Sequence, residues 1–160
     1  MAFRKLTNCL VCNSTDLKKV LDLNKQPLAN AYLKSNKKKE KKYDLAVNCC
    51  KKCTHLQLTI AVDPKIIYKN YDYVSGTTKT LKNYMHDFYN LCIKNVGTSY
   101  RKNILDIGCN DGSQLDVFKK KNFKTFGVDP AKNIYKLSSK KHKILCEFFS
   151  NKTAEKFDEK

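Results

Sequence analysis

No stretch of this 160-residue chain holds the roughly 18 consecutive apolar residues that a membrane-spanning helix needs. The opening "MAFRKLTNCLVCN" is too poor in apolar residues to read as a secretory signal. A cytoplasmic location without a membrane partner is therefore the expectation. Disulfides are disfavoured there, so the eight cysteines need another explanation. Arginine is almost missing: among 32 basic residues only Arg4 and Arg101 occur. It is the side chain best suited to two-pronged contacts with phosphate or guanine. Its scarcity, and the lack of aromatic residues interleaved with the lysines, weigh against specific nucleic-acid binding. The net charge of +17 then reads as a general lysine surplus, whose field would still favour an anionic substrate.

What is present suits a soluble core, with 41% hydrophobic and 29% charged residues. The length allows one domain, or a small module joined to part of another. Three parts are visible and none repeats another. Residues 1–60 hold two CxxC pairs among short strand-like runs, "KKVLDL", "YDLAVN" and "HLQLTI", with the lysine-rich "NKKKEKKYD" read as a solvated loop tip. Residues 61–102 form a connector. Its tyrosine-rich "VDPKIIYKNYDYVSGTT" reads as an ordered loop, and a helix follows from Lys79. Leu81, Tyr84, Met85, Phe88, Leu91 and Cys92 fall on one face of that helix, which would pack on the sheet that follows. Thr77 or Thr78 is placed to cap it and Gly97 to end it.

Residues 103–160 alternate strand and helix: "NILDIG", "SQLDVFKKK", "KTFGVD", "AKNIYKLSSKK", "HKILCEFF", "NKTAEKF". That order implies right-handed crossovers and a parallel sheet. The fold class is α/β, a small zinc-binding β module followed by the first half of a Rossmann-like sheet.

The pairs Cys9-x-x-Cys12 and Cys50-x-x-Cys53 suit tetrahedral zinc, because each can fold into a knuckle presenting two sulfurs to one ion. Four thiolates leave no open position, so such a Zn2+ would be structural. Lys51 and Lys52 could offset its negative ligands. The small β unit has few apolar residues of its own, and structural zinc contributes roughly 10–16 kcal/mol in peptide systems. Free buried thiols are the alternative. The 37 residues between Cys12 and Cys50 exceed the usual compact spacing, and Cys49 offers a second register with Cys53. His55 reads as a strand residue, and Cys92 and Cys146 as core.

Asp106-x-Gly108-x-x-x-Gly112 follows a strand and precedes a helix, the setting in which such turns bind nucleosides. The third close glycine of a dinucleotide fingerprint is missing. Asp129 ends the next strand, where a carboxylate accepts hydrogen bonds from ribose hydroxyls. A glycine turn with this acid and no phosphate cradle points to an adenosyl ligand without phosphates, best fitted by S-adenosylmethionine.

"ILDIGCNDGSQLDVF…FGVDPAKN" resembles the first two motifs of class I S-adenosylmethionine-dependent methyltransferases. A CxxC…CxxC module, "QPLANAYL" and "YKNYDYVSGTT" before it narrow the resemblance to the sugar C-methyltransferases, over nearly the whole chain. The resemblance implies zinc at Cys9, Cys12, Cys50 and Cys53. It implies cofactor contacts from Asp106, Gly108, Cys109, Asn110 and Gly112, with Asp129 on the ribose. Tyr73, and less so Tyr71, would reach the sugar pocket as catalytic candidates, with His86 a weaker one. The implied substrate is a nucleotide-linked keto-deoxysugar. The implied chemistry is proton abstraction beside a ketone, then attack of the carbanion on the cofactor methyl.

One departure bears on activity. The family's His/Glu pair for proton abstraction belongs to the second half of the methyltransferase fold, beyond the third strand where this sequence stops. The expectation is a truncated or split enzyme, inactive alone and completed by a second chain. Two alternatives stand beside it, a zinc-ribbon nucleic-acid-binding module and an inactive remnant of the methyltransferase.

Overall fold

Strand pairing divides the molecule into an antiparallel and a parallel part. The computed structural model describes residues 2–33, 35, 39–97 and 102–157. Part of the lysine-rich loop tip, residues 36–38, lies outside the described residues. The chain forms two units, Met1–Ile67 and Tyr68–Lys160.

In the first unit, β1 (Phe3–Lys5) pairs antiparallel with β5 (Ile60–Val62). A second sheet has the order β2 (Leu17–Pro27), β3 (Lys42–Cys50), β4 (Leu56–Leu58), again antiparallel. The long β2–β3 hairpin accounts for the wide spacing of the two cysteine pairs. Leu17 stands opposite Cys50, so the open end of the hairpin lies beside both pairs and its connecting loop, after Pro27, lies at the far end. Register shifts between Lys19 and Leu21 and between Asp22 and Lys25 bend β2. Little apolar side chain is buried here: Leu6, Tyr43, Ala46 and Ile60 join Cys9 and Cys50. His55 precedes β4 rather than lying in it, and its carbonyl accepts a hydrogen bond from the Cys50 amide at 2.9 Å.

The second unit is the parallel sheet β6 (Asn103–Ile107), β7 (Lys124–Val128), β8 (Lys143–Leu145), in that order. Helices α3 (Ser113–Lys119) and α4 (Lys132–Ser138) make the crossovers, and α5 (Asn151–Glu155) follows. Strand β8 is shorter than "HKILCEFF" suggested and stops before Cys146, which is exposed. The core gathers Cys109, Leu115 and Ile144, with Ile104 and Tyr135 packed against it.

The tyrosine-rich connector contains the short helix α1 (Pro64–Tyr68), which sequence reading took as loop, and a 3-10 turn at Ser75–Thr77. Helix α2 (Lys79–Val96) starts where expected: Thr78 Oγ1 accepts a hydrogen bond from the Leu81 amide, and the Gly97 amide bonds Ile93 O. Its packed face differs from the expectation. Met85 is buried and Leu81, Tyr89 and Cys92 are half-buried, whereas Tyr84, Phe88 and Leu91 are exposed. The partner is helix α3 rather than the sheet. Tyr89 packs edge-on against Phe118 at 5.1 Å and Phe123 at 6.3 Å, and this aromatic cluster sets the helix's rotation. His86 is exposed.

His142, beside α3, is a buried group with a thermodynamic consequence. Its Nδ1 lies 2.8 Å from Thr125 Oγ1, while Nε2 stands 3.3 Å from Asp116 Oδ1 without hydrogen-bond geometry. Burial pulls its pKa below the ordinary value of about 6.5, against the opposing pull of Asp116. The unfolded chain therefore takes up a proton that the folded chain refuses, and stability falls as pH drops below about 6.5. Urea unfolding of the second unit between pH 7 and 5 should show this fall, and His142→Gln should flatten it. An unchanged pH slope in that variant would remove His142 from the account.

Candidate metal centre and cofactor cavity

Each CxxC pair folds into a hydrogen-bonded turn. The Cys9 amide donates to Ser14 O and the Asn13 amide to Cys9 O; the Cys50 amide donates to His55 O and the Thr54 amide to Cys50 O. A buried glutamine ties the first knuckle to β4: Gln57 Oε1 accepts from the Leu10 amide, and Gln57 Nε2 donates to Asn8 O. Sequence reading missed this residue, since a lone Gln in a strand carries no signal of its own.

The two knuckles meet with Cys9 Sγ 3.6 Å from Cys53 Sγ and Cys12 Sγ 3.6 Å from Cys50 Sγ. All four sulfurs lie within 4.8 Å of one another. A tetrahedron of Zn–S bonds of about 2.3 Å has edges of about 3.8 Å, so the donor set fits one zinc ion. The electrostatics agree. The amides of Cys12 and then Val11 hold the Cys9 thiol down to about 6, and those of Cys53 and Lys52 lower Cys50. Cys53 is helped by the His55 amide, yet the neighbouring thiols and burial push it up to about 12. Four sulfurs this close cannot all ionise without a cation among them. Cys49 turns away, its Sγ directed at Cys50 O and Thr54 O.

The second unit carries a cavity of about 310 Å³ at the carboxyl ends of its strands, the usual place for a ligand in such a sheet. Tyr68, Tyr71, Phe148 and Phe149 supply aromatic walls, and Gly108, Asn110, Asp129 and Glu147 the polar rim. A second cavity of about 260 Å³ shares Gly108 and Asn110 with the first and adds Asp106, Ser75, Tyr84 and Gln114. Gly108 has φ +84°, a left-handed conformation costly for other residues, and a Cβ there would enter open space. The backbone is thus bare where a ligand would lie across it.

Asp129 is buried and fixes the rim. Its Oδ2 accepts from the Asn110 amide and its Oδ1 from the Ala131 amide, both at 2.9 Å. Asn110 is committed as well: Oδ1 accepts from the amides of Ser75 and Asp111, and Nδ2 donates to Tyr73 O at 3.0 Å. Asp111 Oδ2 receives the Gly76 amide at 3.0 Å and the Ser113 hydroxyl at 2.8 Å. The approach is close enough that a Cβ on Gly76 would lie 2.1 Å from Ser113 Oγ. Asn133, on α4, bonds the backbone of Tyr71. These strapping roles of Asp111, Gly76 and Asn133 had no pattern by which sequence reading could find them.

The carboxylate of Asp106, half-buried beside the second cavity, has no hydrogen-bond or ion-pair partner among the described residues. Burial, and then the charge of Asp129, raise its pKa above the usual carboxylate value. Cys109 borders the second cavity, but its side chain is core and burial pushes the thiol up to about 12. Gly112 is the left-handed N-cap of α3 and lines neither cavity. Tyr71 is a wall of the first cavity, packed 5.8 Å from Tyr68 and 6.4 Å from Tyr73; Tyr73 itself lines neither.

Residues 9–68 match the family model Methyltransf_13, described as "Putative zinc binding domain". The chain is also similar to the C-methyltransferase NovU of Streptomyces niveus, 26% identical over 133 residues. The aligned region is 82% of this chain and 32% of that protein, so the chain spans about a third of its relative's length. Both findings support the resemblance to a C-methyltransferase. The chain is an α/β protein with a four-cysteine cluster in its first unit and a small parallel sheet in its second, and none of its described helices is long and apolar enough to cross a membrane.

Two substitutions test the metal centre. Purified chain should contain one zinc per molecule by elemental analysis. Cys50→Ser should lose most of it, and Cys49→Ser should keep it. Equal loss in both variants would show that the sulfur cluster is not the ligand set.

Proposed function

We propose that the chain provides the zinc-binding and cofactor-binding part of an S-adenosylmethionine-dependent C-methyltransferase acting on a nucleotide-linked keto-deoxysugar. The observation that carries this reading is the pair of cavities meeting at the bare backbone of Gly108, one aromatic and one holding the unpartnered Asp106. The adenosyl group suits the first. Its ring would lie among Tyr68, Tyr71, Phe148 and Phe149, with the ribose at Asp129, whose two oxygens each keep a lone pair beyond their amide bonds. The amino-acid tail suits the second, where the Asp106 carboxylate would meet its ammonium. Bound there, the cofactor supplies an electrophilic methyl group.

The roles of the protein's own residues follow from that placement. Gly108 lets the ligand cross the turn. Cys109 and Gly112 act through the backbone and the packing beneath it, and Asn110 through the loop it holds. Tyr71 belongs to the adenosyl wall, which leaves Tyr73 as the tyrosine for the sugar side. Cys9, Cys12, Cys50 and Cys53 hold a structural zinc. The sugar nucleotide, the general base and a second chain that supplies them are part of the proposal, as is a cytoplasmic setting. Similarity to a methyltransferase does not favour the nucleic-acid alternative.

Calorimetric titration of the zinc-loaded chain with S-adenosylmethionine tests the cofactor. One ligand should bind per chain. Asp106→Asn should weaken binding about tenfold, the worth of a charge-assisted hydrogen bond. Wild-type affinity should fall as pH drops through the raised Asp106 pKa, because the acid must be ionised to hold an ammonium, and the variant should lose this dependence. A wild-type chain that takes up no heat-detectable ligand would defeat the reading.

A further inference from the structure

We infer that Asn133 is the positioning residue that sets Tyr71 as a wall of the adenosyl cavity. The inference rests on the cofactor reading above and adds a residue that lines neither cavity.

The geometry is specific. Asn133 Oδ1 accepts a hydrogen bond from the Tyr71 amide at 3.0 Å, and Asn133 Nδ2 donates to the Tyr71 carbonyl at 2.8 Å. One carboxamide thus takes both polar groups of one residue's backbone, as a neighbouring strand would. Two bonds to one residue fix the direction of its Cα–Cβ bond as well as its distance. Beside them the Lys132 amide donates to Lys69 O at 3.1 Å, so the start of α4 grips the segment at two points. On the far side of Tyr71, Asn110 holds Tyr73 O and the Ser75 amide.

Regular secondary structure does not hold the segment. Residues 69–74 form no helix or strand, and the ring of Tyr71 packs against those of Tyr68 and Tyr73, both exposed. A chain of that kind samples many conformations unless its backbone is bonded to something rigid. Asn110 and the bond to Lys69 O would leave Tyr71 between them free to turn, and Asn133 removes that freedom. Only a side chain carrying both a donor and an acceptor at this reach can do so; Asp lacks the donor and Ser the span. Asn133 is itself exposed, so its truncation leaves no buried orphan and should spare the fold.

The test is a double-mutant cycle on the zinc-loaded full chain, titrated with S-adenosylhomocysteine, which keeps the adenosyl group and cannot react. Asn133→Ala should weaken binding about fivefold, the worth of an ordinary hydrogen bond, with the urea midpoint unchanged. Amide exchange at Tyr71 should quicken. Tyr71→Ala should weaken binding at least as much, and adding Asn133→Ala to it should cost nothing more, because Asn133 acts through that ring. Additive losses, or wild-type affinity in Asn133→Ala, would overturn the positioning role while leaving the cofactor site standing. No binding by the wild type would sink both.

Discussion

The carboxylate of Asp129 is the constraint from which the candidate site follows. It sits on the residue just after β7, and its two oxygens reach the amides of Asn110 and Ala131. The turn after β6 and the start of the next crossover are thereby locked together. With its own amide bonded, Asn110 is oriented to spend its carboxamide on the tyrosine segment. Asp111 repeats the device one residue on, through Gly76. A buried acid that looked from its position like a ligand group is also the peg on which the cavity's architecture hangs. Both roles are compatible, since amide donors occupy only part of a carboxylate's accepting capacity.

Much of this was legible in sequence where one residue type has one physical use. Two CxxC spacings announced the knuckles, and the sulfurs of those four residues do converge. Gly108 after a strand announced a turn with bare backbone. The strand–helix alternation after Asn103 implied the parallel sheet, Gly97 marked the end of α2, and of the two threonines placed to cap its start Thr78 does so.

What was not legible depended on contacts between distant parts of the chain. The facing of α2 is decided by Tyr89 meeting Phe118 and Phe123, whereas periodicity alone favoured Tyr84 and Phe88. Helix α1 is too short for any periodic pattern. Gln57 and Asn133 are ordinary polar residues whose value lies wholly in what the fold sets opposite them. The truncated β8 follows the same logic. "CEFF" has strand propensity, but Phe148 and Phe149 leave the ladder to line the cavity.

The reciprocal bonds of Asn110 span thirty-five positions between Ser75 and the turn. Helix α2 lies between those anchors, on an excursion from one fixed seam. The spacing of the tyrosines from the glycine turn in space is therefore decoupled from the number of residues separating them. Relatives could lengthen that helix past the turns that carry Tyr84, Met85 and Tyr89 and keep the same pocket, so long as the asparagine and the glycine at the seam were retained.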